Sequence, residues 1–111
     1  MEERPVEIIF RAHHAAISDH MRGRAERAVR KVAARVPRAT SAVVRFEEDG
    51  PTRRVEIELL GTGQKLVSVA TGRFFGPALS DAAQRLLARA GRGRRDKNKK
   101  HLRRPRALAT A

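Results

Sequence analysis

The feature that most constrains the fold is a strict alternation of apolar and charged residues near the middle of the chain. Val55, Ile57 and Leu59 alternate with charged residues between Arg54 and Glu58. Successive side chains of a strand point to opposite faces, so this pattern predicts a strand with one apolar and one solvated face. Such a strand requires a sheet that is covered by other elements on one side only.

Three more strands are predicted around this one. Residues 6–11 alternate in the same way, and residues 41–47 are rich in β-branched side chains. A further apolar segment, 65–71, follows the tight turn Gly61-Thr62-Gly63. The short connections between the last three strands predict an antiparallel meander.

Two helices complete the predicted domain. A helical apolar stripe follows the candidate N-cap Ser18 and stops at Pro37. A second stripe has Pro77 in its first turn and is expected to end at Gly91. The predicted fold is therefore α+β, a two-layer β-α-β-β-β-α domain in which a four-stranded sheet carries both helices on one face.

The charge of the chain predicts a polyanionic partner. The 111 residues carry a formal net charge of +13, and residues 91–106 hold nine basic residues against one acidic residue. This run cannot bury an apolar face, so we expect a domain at 1–91 and a flexible basic tail at 92–111. Nucleic acid is the first candidate partner and an anionic membrane surface the second. A solvated tail that only aids solubility is the alternative.

The sequence contains no recognisable pattern of catalytic or metal-ligating residues. The chain has no cysteine, and His13, His14 and His20 have no matching ligand set nearby, so they are interpreted as structural. No serine has a recognisable base and orienting group. We therefore expect no enzyme activity, no metal, no cofactor and no small-molecule substrate. The absence of signal-peptide and membrane-span patterns predicts a cytoplasmic protein. Neither predicted helix pairs its basic face with large anchoring aromatic residues, so we expect no membrane partner.

Basic residues recur on the predicted outer faces of both helices. They are Arg22, Arg27, Arg30 and Lys31 in the first helix and Arg85, Arg89 and Arg92 in the second. If the helices lie side by side, these residues form one basic surface that continues into the tail. Ordinary solvated helix residues are the alternative for each arginine. Glu56 and Glu58 make the outer face of the sheet the less favourable docking side.

Phe74 and Phe75 precede the second helix and admit two interpretations. Exposed aromatic rings commonly stack on unpaired bases. We favour the alternative that one of the two rings fills the core beside the second helix.

Several short motifs give the chain a resemblance to a known family. They are Ile17-Ser18-Asp19-His20-Met21-Arg22, then Val29-Arg30-Lys31-Val32, then Ala83-Gln84-Arg85-Leu86 followed by the basic run 92–100. Together with the element order, these motifs make residues 6–100 resemble the short-form ribosome hibernation promoting factors, the family that includes the ribosome-associated inhibitor protein. The segment Arg73-Phe74-Phe75-Gly76-Pro77 departs from the family, which has an acidic residue followed by Met or Leu and Tyr.

The resemblance implies a non-enzymatic translation inhibitor that binds the small ribosomal subunit and its 16S-type rRNA in the mRNA/tRNA channel. It implies a role in stress or stationary phase and a monomer when free, without the dimerisation domain of the long form. Arg22, Lys31, Arg85 and the tail take their RNA-binding role from the resemblance, and Arg30, Arg89 and Arg92 take theirs from helix geometry. The predicted RNA-binding residues are Arg22, Arg30, Lys31, Arg85, Arg89, Arg92, Arg94, Arg95, Lys97, Lys99 and Lys100. A general double-stranded RNA- or DNA-binding protein without ribosome specificity is the alternative.

Overall fold

The structure is a computed structural model that describes residues 6–102, with the side chains of residues 6–90. It contains four strands and two helices in the order β-α-β-β-β-α, which confirms the predicted α+β class. The elements are β1 (Glu7–His13), α1 (Asp19–Ala33), β2 (Ala39–Asp49), β3 (Thr52–Gly61), β4 (Gln64–Gly72) and α2 (Phe75–Leu102). In the described residues, no helix is long and apolar enough to cross a membrane.

The four strands form one mixed sheet in the order β1-β2-β3-β4. β1 pairs with β2 in parallel, because α1 carries the chain back across the sheet between them. β2, β3 and β4 form the predicted antiparallel meander. β1 and β4 are therefore the edge strands of the described sheet, and each has main-chain groups that no other strand within residues 6–102 pairs.

A single hydrophobic core lies between the sheet and the two helices. Val55, Ile57 and Leu59 are buried on the same face of the sheet as Phe46, and both helices pack against this face. The charged residues that alternate with them in β3 point to the opposite, uncovered face. The two-layer arrangement predicted from the alternation is thus confirmed.

Local signals define the ends of α1. The hydroxyl of Ser18 accepts a hydrogen bond from the N–H of Met21 at 3.1 Å, so Ser18 is the N-cap as predicted. The helix ends at Ala33, and the chain then makes tighter turns in which Val36 donates its N–H to the carbonyl of Ala33. Val36 therefore remains buried although it lies outside the helix.

α2 does not end at Gly91, where the sequence analysis expects its end. The helix continues through Gly91 and Gly93 to Leu102. A glycine costs a helix only about 1 kcal/mol relative to alanine, and the Arg and Lys residues that follow favour helix. The division into a domain at 1–91 and a flexible tail at 92–111 stays a prediction, since residues 103–111 lie outside the described part of the chain.

A close backbone contact holds the start of β2 against the end of β3. The N–H of Thr62 donates to the carbonyl of Arg38 at 3.2 Å, and a Cβ added at Gly61 would lie 2.9 Å from that same carbonyl oxygen. Real Cβ atoms essentially never come this close to an oxygen, so the contact requires a glycine at this position.

The first prediction concerns this contact. Gly61→Ala should lower the free energy of unfolding by about 1–3 kcal/mol, because the two strand ends must separate or the hydrogen bond must break. Gly23→Ala is the matched control: a Cβ there meets only the flexible end of Arg27, at 3.4 Å, and the helix should gain about 0.5–1 kcal/mol. Urea titration measures both, and equal stability of the two variants would contradict the prediction.

Candidate nucleic-acid interface

The basic residues of the two helices have three different surroundings. The single basic surface that the sequence predicts across both helices stays a prediction. One set lies on the side of α1 that faces β1, a second lies in the groove between the helices, and a third lies on the side of α2 that faces β4. The order of the elements over the sheet causes this division, because each helix has a different neighbour on its two flanks.

Arg22 and Arg30 lie on the flank of α1 that faces β1. The guanidinium of Arg22 stands 5.7 Å from the centre of the Phe10 ring, within the range of a cation–π contact. Arg30 donates to Glu26 at 3.0 Å and to the carbonyl of Val6 at 3.4 Å, just before β1 begins. Both side chains are exposed, yet both are held by the sheet side of the fold.

Arg85 and Arg89 lie on the opposite flank of the helical layer, beside the edge strand β4. Arg85 donates through Nη1 to the carbonyl of Val69 at 2.7 Å, and Arg89 donates in the same way to the carbonyl of Val67. The two arginines therefore satisfy carbonyl groups of an edge strand that has no strand partner on that side. Each guanidinium has five N–H groups, so most of its donors remain free.

Ser68 adds a buried contact between β4 and α2. Its hydroxyl donates to the carbonyl of Ala82 at 2.7 Å. Together with Arg85 and Arg89, this bond fixes the position of α2 along the edge strand. The helix can therefore present its remaining side chains in a defined geometry.

The groove between α1 and α2 holds the third group of basic residues. Arg27 and Lys31 line it from α1, whereas Ser80, Gln84 and Leu87 line it from α2. The groove has a volume of about 300 Å³ and is open to solvent. One of its walls is thus cationic, and the other combines neutral hydrogen-bonding groups with an apolar residue.

Arg24 contacts Ser80, one of the residues that line this groove. Its Nη2 donates to the hydroxyl of Ser80 at 3.2 Å, and its Nη1 lies 2.9 Å from the place that a Cβ of Gly76 would occupy. Gly76 therefore gives the guanidinium room above the first turn of α2. Arg24, Arg27 and Lys31 are spaced i, i+3 and i+7, so they share one side of α1.

Sequence reasoning missed Arg24 and counted Arg27 among the outer residues without assigning it a role. The spacing of Arg24, Arg27 and Lys31 in the sequence indicates that they share one side of the helix. It does not say, however, that α2 lies on this side of α1. The predicted residues Arg92, Arg94, Arg95, Lys97, Lys99 and Lys100 lie in the last part of α2, beyond the described side chains.

The uncovered face of the sheet carries a network of ion pairs. Glu58 lies between Lys65 at 3.0 Å and Arg45 at 3.4 Å, and Glu56 lies between Arg45 and Arg54. A hydrogen bond from Lys65 is the largest influence on Glu58 and, with Arg45, it holds the pKa of that carboxyl below its usual range, against the opposing effect of burial. The acidic residues of this face are therefore largely neutralised by neighbouring cations.

The two phenylalanines before α2 have different environments. Phe75 packs edge-on against the buried Phe46, with 5.4 Å between the ring centres. Phe74 is 69% exposed. The structure thus agrees with the interpretation that one of the two rings fills the core, and it leaves the other ring at the surface.

Within the described residues, no group of three or more His, Cys, Asp or Glu side chains could hold a metal ion. His13 and His14 contact each other edge-on at 4.1 Å at the end of β1.

This two-helix, four-stranded architecture is that of known proteins. No protein-family model matches the chain, and no curated protein matches its sequence. Among solved structures, the N-terminal domain of Thermus thermophilus Protein Y matches with a TM-score of 0.69 at 19% sequence identity. The match covers 78% of this chain and 98% of that domain.

A ribosomal subunit interface protein from Coxiella burnetii matches with the same TM-score of 0.69, at 13% identity. The match covers 80% of this chain and 98% of that protein. The chain therefore has the fold of these two proteins, which confirms the fold that the sequence resemblance implies.

The second prediction concerns the arginines beside β4. Arg85→Ala combined with Arg89→Ala should lower the free energy of unfolding by about 1–2 kcal/mol and promote self-association, because two edge carbonyls lose their donors. Arg27→Ala, which removes an exposed helix arginine without a hydrogen bond to any described residue, should stay within about 0.5 kcal/mol of the wild type. Denaturant titration and light scattering measure both effects. Equal behaviour of the double variant and the control would exclude the edge-capping role.

The third prediction concerns the ion pairs of Glu58. Because its folded pKa is lowered, ionised Glu58 stabilises the fold above the ordinary pKa of a glutamate, and this contribution disappears as pH falls through the lower folded value. Glu58→Gln should therefore cost about 0.5–1 kcal/mol at neutral pH and progressively less in acid. Glu7→Gln is the control, since Glu7 forms no ion pair with a described residue. Thermal unfolding as a function of pH tests this, and a pH-independent difference would contradict it.

Proposed function

We propose that this protein is a non-enzymatic translation inhibitor that binds the rRNA of the small ribosomal subunit. In this proposal, the protein occupies the channel where mRNA and tRNA anticodon stems sit, and so keeps idle ribosomes inactive. The observation that carries the proposal is the groove between α1 and α2, which Arg27 and Lys31 line from α1 and whose Ser80 is hydrogen-bonded to Arg24. It occurs in a fold shared with a protein described as a ribosomal subunit interface protein.

The two walls of the groove suit the backbone of a structured RNA. Structured RNA is recognised mostly by its shape, its phosphates and its 2′-hydroxyls. The cations of α1 supply charge for phosphates, and Ser80 and Gln84 of α2 supply groups that can donate to or accept from a 2′-hydroxyl. Neither Arg27 nor Lys31 forms an ion pair with a residue that the structure describes, so neither must break one in order to bind a phosphate.

We propose that the arginines on the outer flanks of the two helices make additional contacts with the RNA. Each of the four flanking arginines contacts the sheet side of the fold but keeps N–H groups that these contacts do not use; they are Arg22, Arg30, Arg85 and Arg89. They add positive potential on both sides of the groove and can contact phosphates there. The basic residues from Arg92 to Lys100 add further positive charge to the chain.

The remaining parts of the proposal follow from the same mode of action. Steric occupation of a channel needs neither a cofactor nor a small-molecule substrate. A ribosomal partner places the protein in the cytoplasm, and a net charge of +13 accelerates its encounter with rRNA. Such an inhibitor is useful when translation must stop, as under stress or in stationary phase.

The fourth prediction tests the groove. Lys31→Glu should weaken binding to small ribosomal subunits by about tenfold or more and reduce its salt dependence, because a phosphate contact is replaced by repulsion. Arg11→Glu is the matched control: Arg11 is an exposed cation on the uncovered face of the sheet, and its reversal changes the net charge equally. It should alter binding less than about twofold.

Sedimentation through sucrose gradients at several salt concentrations measures this binding, and a translation assay measures inhibition. If both variants weaken binding equally, net charge alone accounts for the binding and the groove has no specific role. If the wild-type protein never sediments with small subunits or ribosomes at low salt, the proposed function is wrong. If generic RNA duplex competes as strongly as ribosomes, the protein is instead a general double-stranded nucleic-acid binder.

A further inference from the structure

We propose that Phe74 is a stacking platform for an unpaired RNA base beside the groove between the helices. The inference rests on the proposed RNA binding and goes beyond it, because it assigns a base contact to a residue that the charge pattern does not single out. Among the residues that the structure describes, Phe74 is the one large hydrophobic side chain that is exposed.

The backbone of Phe74 is firmly held although its ring is free. Its carbonyl accepts the N–H of Ala78 at 3.3 Å, which is the first hydrogen bond of α2. The next residue, Phe75, is anchored by its ring against Phe46. A phenylalanine on such a support has only two rotatable bonds to order, so a ring contact costs little conformational entropy.

The surroundings of Phe74 are cationic. Arg73 precedes it and is exposed, and Arg24 lies over the first turn of α2 next to Gly76. The guanidinium of Arg53 lies 5.9 Å from the centre of the adjacent Phe75 ring, but it is paired with Glu48 at 2.7 Å. An aromatic ring that follows the exposed Arg73 fits a base whose flanking phosphate this arginine can contact.

This combination favours RNA over a protein partner. A protein docking site usually needs a contiguous apolar patch, and Phe74 has no exposed large apolar neighbour among the described residues. A base needs only one ring face, and stacking on an aromatic side chain contributes about 1–3 kcal/mol per base. Arg24 contacts both Ser80 in the groove and the first turn of α2 at Gly76, so in this proposal an RNA strand that follows the groove continues past Arg24 to Phe74.

The test uses the absence of tryptophan and tyrosine from the sequence. Phe74→Trp in the full chain introduces a single fluorophore at the proposed platform, and stacking on a base quenches it. Thr62→Trp is the control, because Thr62 is exposed in the β3–β4 turn, outside the proposed site. The probes are single-stranded oligoadenylate of about 10 nucleotides, a blunt RNA duplex, and inorganic polyphosphate, which supplies phosphate charge without bases.

We expect oligoadenylate to quench Phe74→Trp strongly, and the duplex and polyphosphate to quench it little. The Thr62→Trp control should not respond to any of the three. Phe74→Ala and Phe74→Leu should both weaken oligoadenylate binding by about 5- to 100-fold, whereas Phe74→Tyr should retain it. Quenching by polyphosphate equal to that by oligoadenylate, or no quenching by any RNA, would overturn the proposal. Full binding by Phe74→Leu would overturn it as well, since an apolar contact would then suffice.

Ribosome sedimentation of the same variants separates this inference from the proposed function. If wild type and Phe74→Ala sediment equally well with ribosomes, and oligoadenylate leaves Phe74→Trp unquenched, the stacking inference fails while the function stands. If the wild-type protein binds oligoadenylate through Phe74 but never sediments with ribosomes, the stacking inference stands and the proposed function fails.

Discussion

One-sided burial of the sheet is the constraint on which the rest of the structure depends. The apolar residues of β3 and of the neighbouring strands all point to one face, so both helices must lie there to keep these residues from water. Two helices on one four-stranded sheet lie side by side, and each then has one flank toward the other helix and one toward an edge strand. This layout sets the neighbours of every basic residue on the two helices.

The arginines of the two helices have two kinds of environment, and the position of each arginine relative to the neighbouring elements determines which one it has. On the outer flanks, Arg30, Arg85 and Arg89 donate to main-chain carbonyls at or next to the edge strands. Between the helices, Arg27 and Lys31 face a neutral wall and solvent. The net charge of the chain therefore overstates the charge available to a partner, because some of the arginines are bonded to carbonyl groups at the edges of the sheet. The groove is the place where cations and an accessible cavity coincide.

On the uncovered face of the sheet, the charged residues are paired with one another. Its carboxylates alternate with arginines and a lysine across neighbouring strands, so cations surround Glu56 and Glu58. Such exposed pairs contribute little individually, but they keep this face solvated and nearly neutral. The surplus charge is consequently carried by the helical side and by the residues that follow it.

The sequence by itself determined the element order, the apolar face of each strand and helix, the Ser18 cap and the overall charge. These properties are local, because the periods of strands and helices are set by the backbone. It did not determine the end of α2, where the modest cost of Gly91 is outweighed by good helix-forming residues. Only the tertiary structure decided which flank each arginine occupies, and that Phe75 enters the core while Phe74 stays exposed. The periodicity of the sequence separates buried residues from exposed ones. It does not say which element an exposed side chain lies beside, because that element comes from a distant part of the chain.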